Sequence, residues 1–296
     1  MDTSTGALTP VPGSPLAGPV GIRGRMFLSS DQRTLISVGE GTPSIKYSIN
    51  SENGSLTRLQ SVDFTDNLNQ FVIVAIDSAA QFMYAIDQYQ TADAHLLGVR
   101  ISDGSSIPGL GMNVQHVVSH PDQHTLYLDG QAFDIDSYTG ALSPSTISDL
   151  PTSTGELTRD GLTLVHQEEG FTTTPAHVYH RSSATAPFAE ETGSPVNTPG
   201  SESFGWYLEP SGKFVYLWNF DMQWYGYRLD TLQPVSTTPF PDLAVVDNTG
   251  KFGVQAEFQG ALRVQHYDSS TGIYGSTISN YSVPPFSNVR FIVGGN

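Results

Sequence analysis

Short apolar segments recur along this chain at a nearly constant interval. Residues 213–219 read Lys-Phe-Val-Tyr-Leu-Trp-Asn, and variants of this segment recur elsewhere. The variants lie at 33–39, 81–87, 124–130, 162–168 and 251–257. Successive segments begin 38 to 51 residues apart, which is typical of a repeat whose unit is one four-stranded propeller blade. The pattern therefore predicts a repeat fold made of strands.

A glycine turn follows the same interval. Thr-Gly-Ala-Leu or a close variant places glycines at positions 6, 54, 140 and 272. The distances between them are 48, 86 and 132 residues, close to one, two and three repeats. Two independent markers in phase indicate that the repeat is real.

Polarity changes in a regular way within each repeat. A moderately apolar first strand, such as 115–119, leads through a turn bearing Asp, Pro or Gly to the strongly apolar second strand. A third strand, such as 225–230, alternates apolar and polar residues and so has one buried face. A polar fourth strand follows, as the outer edge of a blade requires. The sequence predicts an all-β fold, a β-propeller of four-stranded antiparallel blades, and long loops over 166–200.

The two ends of the chain complement each other. Six whole repeats can be counted, with residues 5–12 resembling a fourth strand and residues 288–293 a first strand. We expect both ends to contribute to one blade, since a closed ring leaves no open sheet edge. One domain over residues 1–296 is the expected organisation, because no stretch is left over for a second core.

Charge and composition exclude several classes of partner. Thirteen Lys and Arg against 29 Asp and Glu give a net charge of −16, which repels nucleic acid and anionic membranes. The absence of Cys excludes thiol chemistry and disulfides. No apolar run approaches the roughly 20 residues needed to cross a bilayer. We expect no nucleic-acid, membrane or cofactor binding, and a monomer with a small-molecule ligand.

The chain begins in the middle of a repeat, and two explanations are open. A leader peptide has been removed, or the first strand closes the ring. We expect a periplasmic or extracellular protein, with the cytoplasm as the alternative.

Three segments resemble a known family. Residues 2–15, 209–219 and 225–230 are similar to the repeat of the lactonase-type seven-bladed β-propellers, which include 6-phosphogluconolactonase and carboxymuconate cyclase. The resemblance runs over essentially the whole chain and rests on blade-building turns and strands. It implies seven blades and, as an expectation, a small lactone or sugar acid bound at the mouth of a central channel.

Most candidates for that site are polar residues near the starts of the innermost strands, whereas Glu169 and Trp224 are expected in loops. We expect catalytic roles for His116, Glu156, Asp242 and Glu169. We expect substrate-binding roles for Arg25, Gln70, Ser203, Trp224 and Arg290. An imidazole or carboxylate would deprotonate water, and an arginine would hold a substrate carboxylate or a developing oxyanion. Alternatively, these groups only solvate the channel or form ion pairs.

Other motifs favour structural roles. His116 and His120 would lie roughly 13 Å apart on a strand, too far to share a metal ion, so no metal site is expected. The tryptophans of the fifth repeat, at 206, 218 and 224, are typical of packing between blades. Glu168 and Glu169 are more typical of a solvated pair than of a general base. No serine-hydrolase, zinc-protease or nucleotide-binding motif occurs.

Two functions are compatible with this sequence. The first is a lactonase-like hydrolase, and the second is a non-enzymatic propeller that binds a small ligand or a protein. Convergent His, Arg and carboxylate side chains would favour the first.

Overall fold

A computed structural model gives the fold of this protein. It describes residues 1–2, 4–10, 25–39, 42–62, 71–87, 95–167, 175–199, 203–219, 221, 223–240, 244–247, 249–257 and 261–282. The chain divides into two compact units. The middle unit is Pro10–Thr154, and the terminal unit combines Met1–Thr9 with Gly155–Gly295. The expected single domain stays a prediction.

The middle unit contains three antiparallel sheets, each with its strands in sequence order. The first holds β1 (Arg25–Leu28), β2 (Thr34–Gly39), β3 (Thr42–Ile49) and β4 (Leu56–Val62). The second holds β5 (Phe71–Ile76), β6 (Phe82–Asp87) and β7 (Leu96–Arg100). The third holds β8 (Val117–Ser119), β9 (Thr125–Leu128), β10 (Gln131–Ile135) and β11 (Leu142–Pro144).

The terminal unit repeats this arrangement. Its first sheet holds β12 (Glu156–Leu157), β13 (Thr163–Gln167), β14 (Ala176–His180) and β15 (Ala189–Glu190). The next holds β16 (Ser203–Leu208), β17 (Phe214–Asn219) and β18 (Trp224–Arg228). The last holds β19 (Val245–Val246), β20 (Phe252–Glu257), β21 (Ala261–Asp268) and β22 (Ile273–Ser282).

Small meandering sheets of this kind are propeller blades, so the predicted fold class is confirmed. The described residues contain no helix and form six blades, not the seven that the resemblance implied. The stretch 166–200, predicted as long loops, contains β14 and β15. Its Thr, Ser and Pro content masked a strand whose inward residues, Ala176 and Val178, are buried.

The turn between first and second strands, here called the inner turn, has one geometry in all six blades. The N–H of its fourth residue donates to the carbonyl of its first residue at 2.7–2.9 Å. The fourth residue always has positive φ, a conformation that glycine adopts without steric cost. The fourth residues are Gln32, Ala80, Gln123, Gly161, Gly212 and Gly250.

Side chains stabilise the inner turns in two reciprocal ways. In three blades a donor at the first position binds a carboxylate at the third, as Thr158 Oγ1 binds Asp160 at 2.6 Å. Two others reverse the order, as Asp247 accepts from Thr249 Oγ1 at 2.5 Å. In the remaining blade, Asp77 accepts from backbone N–H groups at 2.6 Å. The Asp, Ser and Thr residues of the inner turns are therefore accounted for by turn formation.

The turn between third and fourth strands, here called the outer turn, also recurs. In the turn 136–140, Asp136 accepts from the N–H of Tyr138 and Thr139, and the Gly140 N–H donates to the Asp136 carbonyl at 2.8 Å. The N-terminal turn at 2–6 has the same hydrogen bonds, with Asp2 and Gly6 in the corresponding places. The shared glycine marker thus predicts the shared structure.

Each blade contributes one face to an apolar cluster with a neighbour in its own unit. In the terminal unit, Val165 and Val178 of one blade pack with Val215 and Leu217 of the next. These residues come from β13, β14 and β17, and they hold the two blades face to face. Glu156 on β12 pairs with Val165 and so lies beside this contact.

Candidate functional site

The predicted site residues differ in how far the structure describes them. Four of them lie outside the described residues: Gln70, Glu169, Asp242 and Arg290. Arg25 and Ser203 begin β1 and β16 and are described by their backbones. The structure describes three side chains, those of His116, Glu156 and Trp224.

Glu156 has the most unusual environment of these three. It lies on β12 directly opposite Val165 of β13, so it shares the face that packs on the next blade. The residue as a whole is exposed, yet burial of its carboxyl group raises the pKa of that group to about 7. A carboxyl with a pKa near 7 can exchange protons near neutral pH.

The repeat makes Glu156 conspicuous. It stands two residues before the first residue of its inner turn. Residues at the same position in the other blades are apolar or aromatic: Phe27, Ala75, Val118, Tyr207 and Val245. A charged side chain at a position otherwise used for packing suggests a role other than building the blade.

Trp206 of β16 is the neighbour that acts on this carboxyl. Its indole N–H lowers the pKa of Glu156, by less than burial raises it. The Trp206 Nε1 atom is itself buried and makes no hydrogen bond of normal geometry. Burial raises the pKa of the adjacent Tyr207, and the Glu156 charge adds to that effect. Glu156 therefore faces the first strand of the next blade.

Asn219 ends β17 on the same face of that blade. Its Oδ1 accepts from the Gln223 N–H at 3.0 Å, which fixes the orientation of the amide. Its Nδ2 is buried without a partner, and the residue is 0% exposed. Sequence reasoning missed Asn219 and assigned Trp206 to packing. Nothing in the sequence could have shown that their donors are unsatisfied, since that depends on the neighbouring strands.

His116 lies in the middle unit, just before β8. Its backbone N–H donates to Asp129 at 2.8 Å, and its Nδ1 lies 3.7 Å from the same carboxylate. Asp129 occupies the tight hairpin between β9 and β10, with φ of 48°. His116 and Arg25 each stand four residues before an inner turn, so they occupy equivalent positions in their blades. The catalytic role expected for His116 stays a prediction.

Trp224 begins β18 and is half-buried. Its ring stacks on Trp218 with centroids 5.8 Å apart, and its backbone forms two hydrogen bonds with Phe240. It also packs against a core cluster that contains Tyr216. These contacts explain Trp224 as a packing residue, and its substrate-binding role stays a prediction.

The described residues contain no group of three His, Asp or Glu side chains that could hold a metal ion. They also contain no helix that could span a bilayer.

No protein-family model matches the chain, and no curated protein sequence matches it. Solved structures do resemble it. A proposed 6-phosphogluconolactonase from Bacteroides uniformis is 13% identical, with a TM-score of 0.55 over 87% of this chain and 84% of that one. Another from Bacteroides fragilis is 16% identical, with a TM-score of 0.52 over 87% and 83%. At these identities the similarity establishes the propeller fold.

Proposed function

We propose that this protein is a lactonase-like hydrolase that opens a small cyclic ester, with Glu156 as the general base. The observation that carries the proposal is Glu156 itself: an exposed residue whose carboxyl has a pKa of about 7, at a strand position otherwise used for packing. The fold resemblance to proposed lactonases and the repeat motifs support the same reaction class.

Hydrolysis of a cyclic ester needs a general base that deprotonates water and a group that stabilises the negative charge developing on the ester carbonyl oxygen. The Glu156 carboxylate takes a proton from water while the water oxygen attacks the ester carbonyl carbon. The tetrahedral intermediate then breaks the bond between that carbon and the ring oxygen. Protonated Glu156 returns the proton to the ring oxygen, which becomes the hydroxyl of the product hydroxy acid. The carboxylate is restored, and water has been added across the ester.

The first prediction concerns activity against pH. Because the ionised form of Glu156 is the base, kcat/KM for lactone hydrolysis should rise about tenfold per pH unit below pH 7 and level off above it. Glu156→Gln should lower kcat by on the order of 10²–10⁴-fold and abolish the rise of kcat/KM with pH below pH 7. The measurement is initial rate by pH-stat, corrected for spontaneous hydrolysis.

Glu190→Gln is the matched control. Glu190 lies on β15 of the same blade, and its pKa is lowered by hydrogen bonds from His177 and Ser194. That variant should keep the wild-type profile. An unchanged rate in Glu156→Gln would contradict the proposal. If lactones bind without turnover in the wild type, the non-enzymatic propeller is the better account.

A further inference from the structure

Two buried N–H donors on one face of a blade make no hydrogen bond of normal geometry. They are Trp206 Nε1 and Asn219 Nδ2. An unsatisfied buried donor destabilises the folded state, and such groups in native proteins call for an explanation such as a bound water or ligand. Trp206 Nε1 acts on the Glu156 carboxyl, and the apolar packing of the blade explains neither donor.

The strand register places these donors close together. Trp206 pairs with Leu217, and Asn219 lies two residues beyond Leu217 on the same strand. Trp206 and Asn219 are therefore diagonal neighbours on one face, roughly 7–8 Å apart at their backbones and within reach of long side chains. That face is turned toward Val165 and hence toward Glu156, which is paired with it.

The negative charge around these donors favours an uncharged ligand. Two N–H groups can bind one oxygen that has two lone pairs, as a carbonyl or carboxylate oxygen does. An anionic ligand would meet the Glu156 carboxylate and the net charge of −16, and both oppose its binding. A neutral carbonyl compound meets neither penalty.

We propose that Trp206 Nε1 and Asn219 Nδ2 bind the carbonyl oxygen of an uncharged, unphosphorylated cyclic ester beside Glu156. This inference rests on the proposed function and adds the substrate class. As water attacks, the carbonyl oxygen becomes an oxyanion, and the two donors stabilise it in a site they already occupy. The product is a carboxylate, which Glu156 repels once the proton has been returned, so the same charge favours product release.

The test of binding is independent of turnover. δ-Valerolactam presents the same carbonyl oxygen but an amide in place of the ester. The protein has three tryptophans, so its ¹H–¹⁵N spectrum should show three indole signals, assigned with single Trp→Phe variants. Titration with the lactam should shift the Trp206 indole signal and leave that of Trp218, on the opposite face of β17, in place. A Trp206 signal that does not move up to the solubility limit overturns the inference and indicates a structural water.

The test of catalysis uses Trp206→Phe, with Trp218→Phe as control. Loss of one oxyanion donor should lower kcat by on the order of 100-fold. The indole N–H lowers the pKa of Glu156, so its removal should also shift the rise of kcat/KM to higher pH. A packing defect would not cause this shift. The Trp218→Phe control should keep the wild-type dependence of kcat/KM on pH. Glucono-1,5-lactone should be hydrolysed with higher kcat/KM than its 6-phosphate.

The outcomes separate this inference from the proposed function. A lactam-induced shift of Trp206 without lactone turnover supports the binding site and contradicts the hydrolase. Turnover that depends on Glu156 but not on Trp206, or that prefers the 6-phosphate, supports the hydrolase and overturns the inference. If Trp206→Phe unfolds, the lactam titration of the wild type still decides.

Discussion

The carboxyl group of Glu156 opposes the stability of the fold that holds it. Burial makes its charged form less favourable in the folded state, and the pKa rises from 4.5 to about 7. The other five blades avoid this cost by placing an apolar or aromatic side chain at the same position. A residue that weakens the fold and is exposed to solvent is typical of a functional site.

The second prediction follows from the raised pKa. Between pH 4.5 and 7 the folded state holds a proton that the unfolded state has released, so the free energy of unfolding should fall as pH rises through this window. Below pH 4.5 both states are protonated, and above 7 neither is. Solvent contact limits the size of the effect.

Urea unfolding of wild type and Glu156→Gln from pH 4 to pH 8 measures this pH dependence of the free energy of unfolding. The variant should gain stability relative to wild type as pH rises, and Glu190→Gln should not. Parallel curves for wild type and Glu156→Gln would show that the pKa of Glu156 is not raised.

At the scale of the element, the turns determine how successive strands of a blade are connected. Inner turns share a positive-φ fourth residue, and the outer turns at 136–140 and 268–272 end on a glycine that lies under the neighbouring blade. A Cβ at Gly140 would lie 2.6 Å from Phe82 Cδ1 and 2.7 Å from Ile107 Cδ1. The glycine marker of the sequence is thus required both by backbone conformation and by close packing.

The third prediction separates these two requirements with three alanine variants. Gly111→Ala meets open space without positive φ and should be nearly neutral. Gly109→Ala has φ of 83° in open space, and strain should cost about 1–2 kcal/mol. Gly140→Ala combines φ of 74° with the clash and should lose about a further 1–3 kcal/mol. Chemical denaturation measures all three, and equal losses at 109 and 140 would show that the packing is not tight.

The N-terminal segment belongs to the terminal unit at the scale of the whole molecule. Gly6 lies under Phe252, and the Leu8 N–H donates to the Tyr281 hydroxyl at 2.9 Å. Outer-turn glycines elsewhere lie in the same way on the first residue of a second strand: Gly140 on Phe82 and Gly272 on Phe214. Residues 2–6 therefore have the hydrogen bonds and the packing of an outer turn. Residues 288–293 lie outside the described residues, so a blade shared by both ends stays a prediction.

The fourth prediction is that residues 1–9 stabilise the terminal unit. Their deletion uncovers Phe252, which is 3% exposed, and should lower the Tm by several degrees, since 1 kcal/mol corresponds to about 2–4 °C. Removal of Met1 alone is the control and should have no effect. Calorimetry gives both values, and an unchanged Tm after the longer deletion would show that the segment adds no stability.

The sequence by itself determined the blades. Strong apolar second strands, the glycine of the outer turn and the Asp, Ser and Thr of the inner turns are local requirements, so they are readable from residue types and spacing. The predicted strand 225–230 corresponds to Trp224–Arg228 for this reason. Glu156 was also a candidate from the sequence, because it is a polar residue near the start of an innermost strand.

Only the tertiary structure decided what surrounds that carboxyl. Trp206 was interpreted as packing and Asn219 was not noticed, because a donor is unsatisfied only when the neighbouring strands fail to supply an acceptor. A pKa likewise depends on burial by residues distant in sequence, such as Trp206, which is 50 positions from Glu156. Repeats encode their own turns and strands, whereas the environment of one atom arises where two different repeats meet.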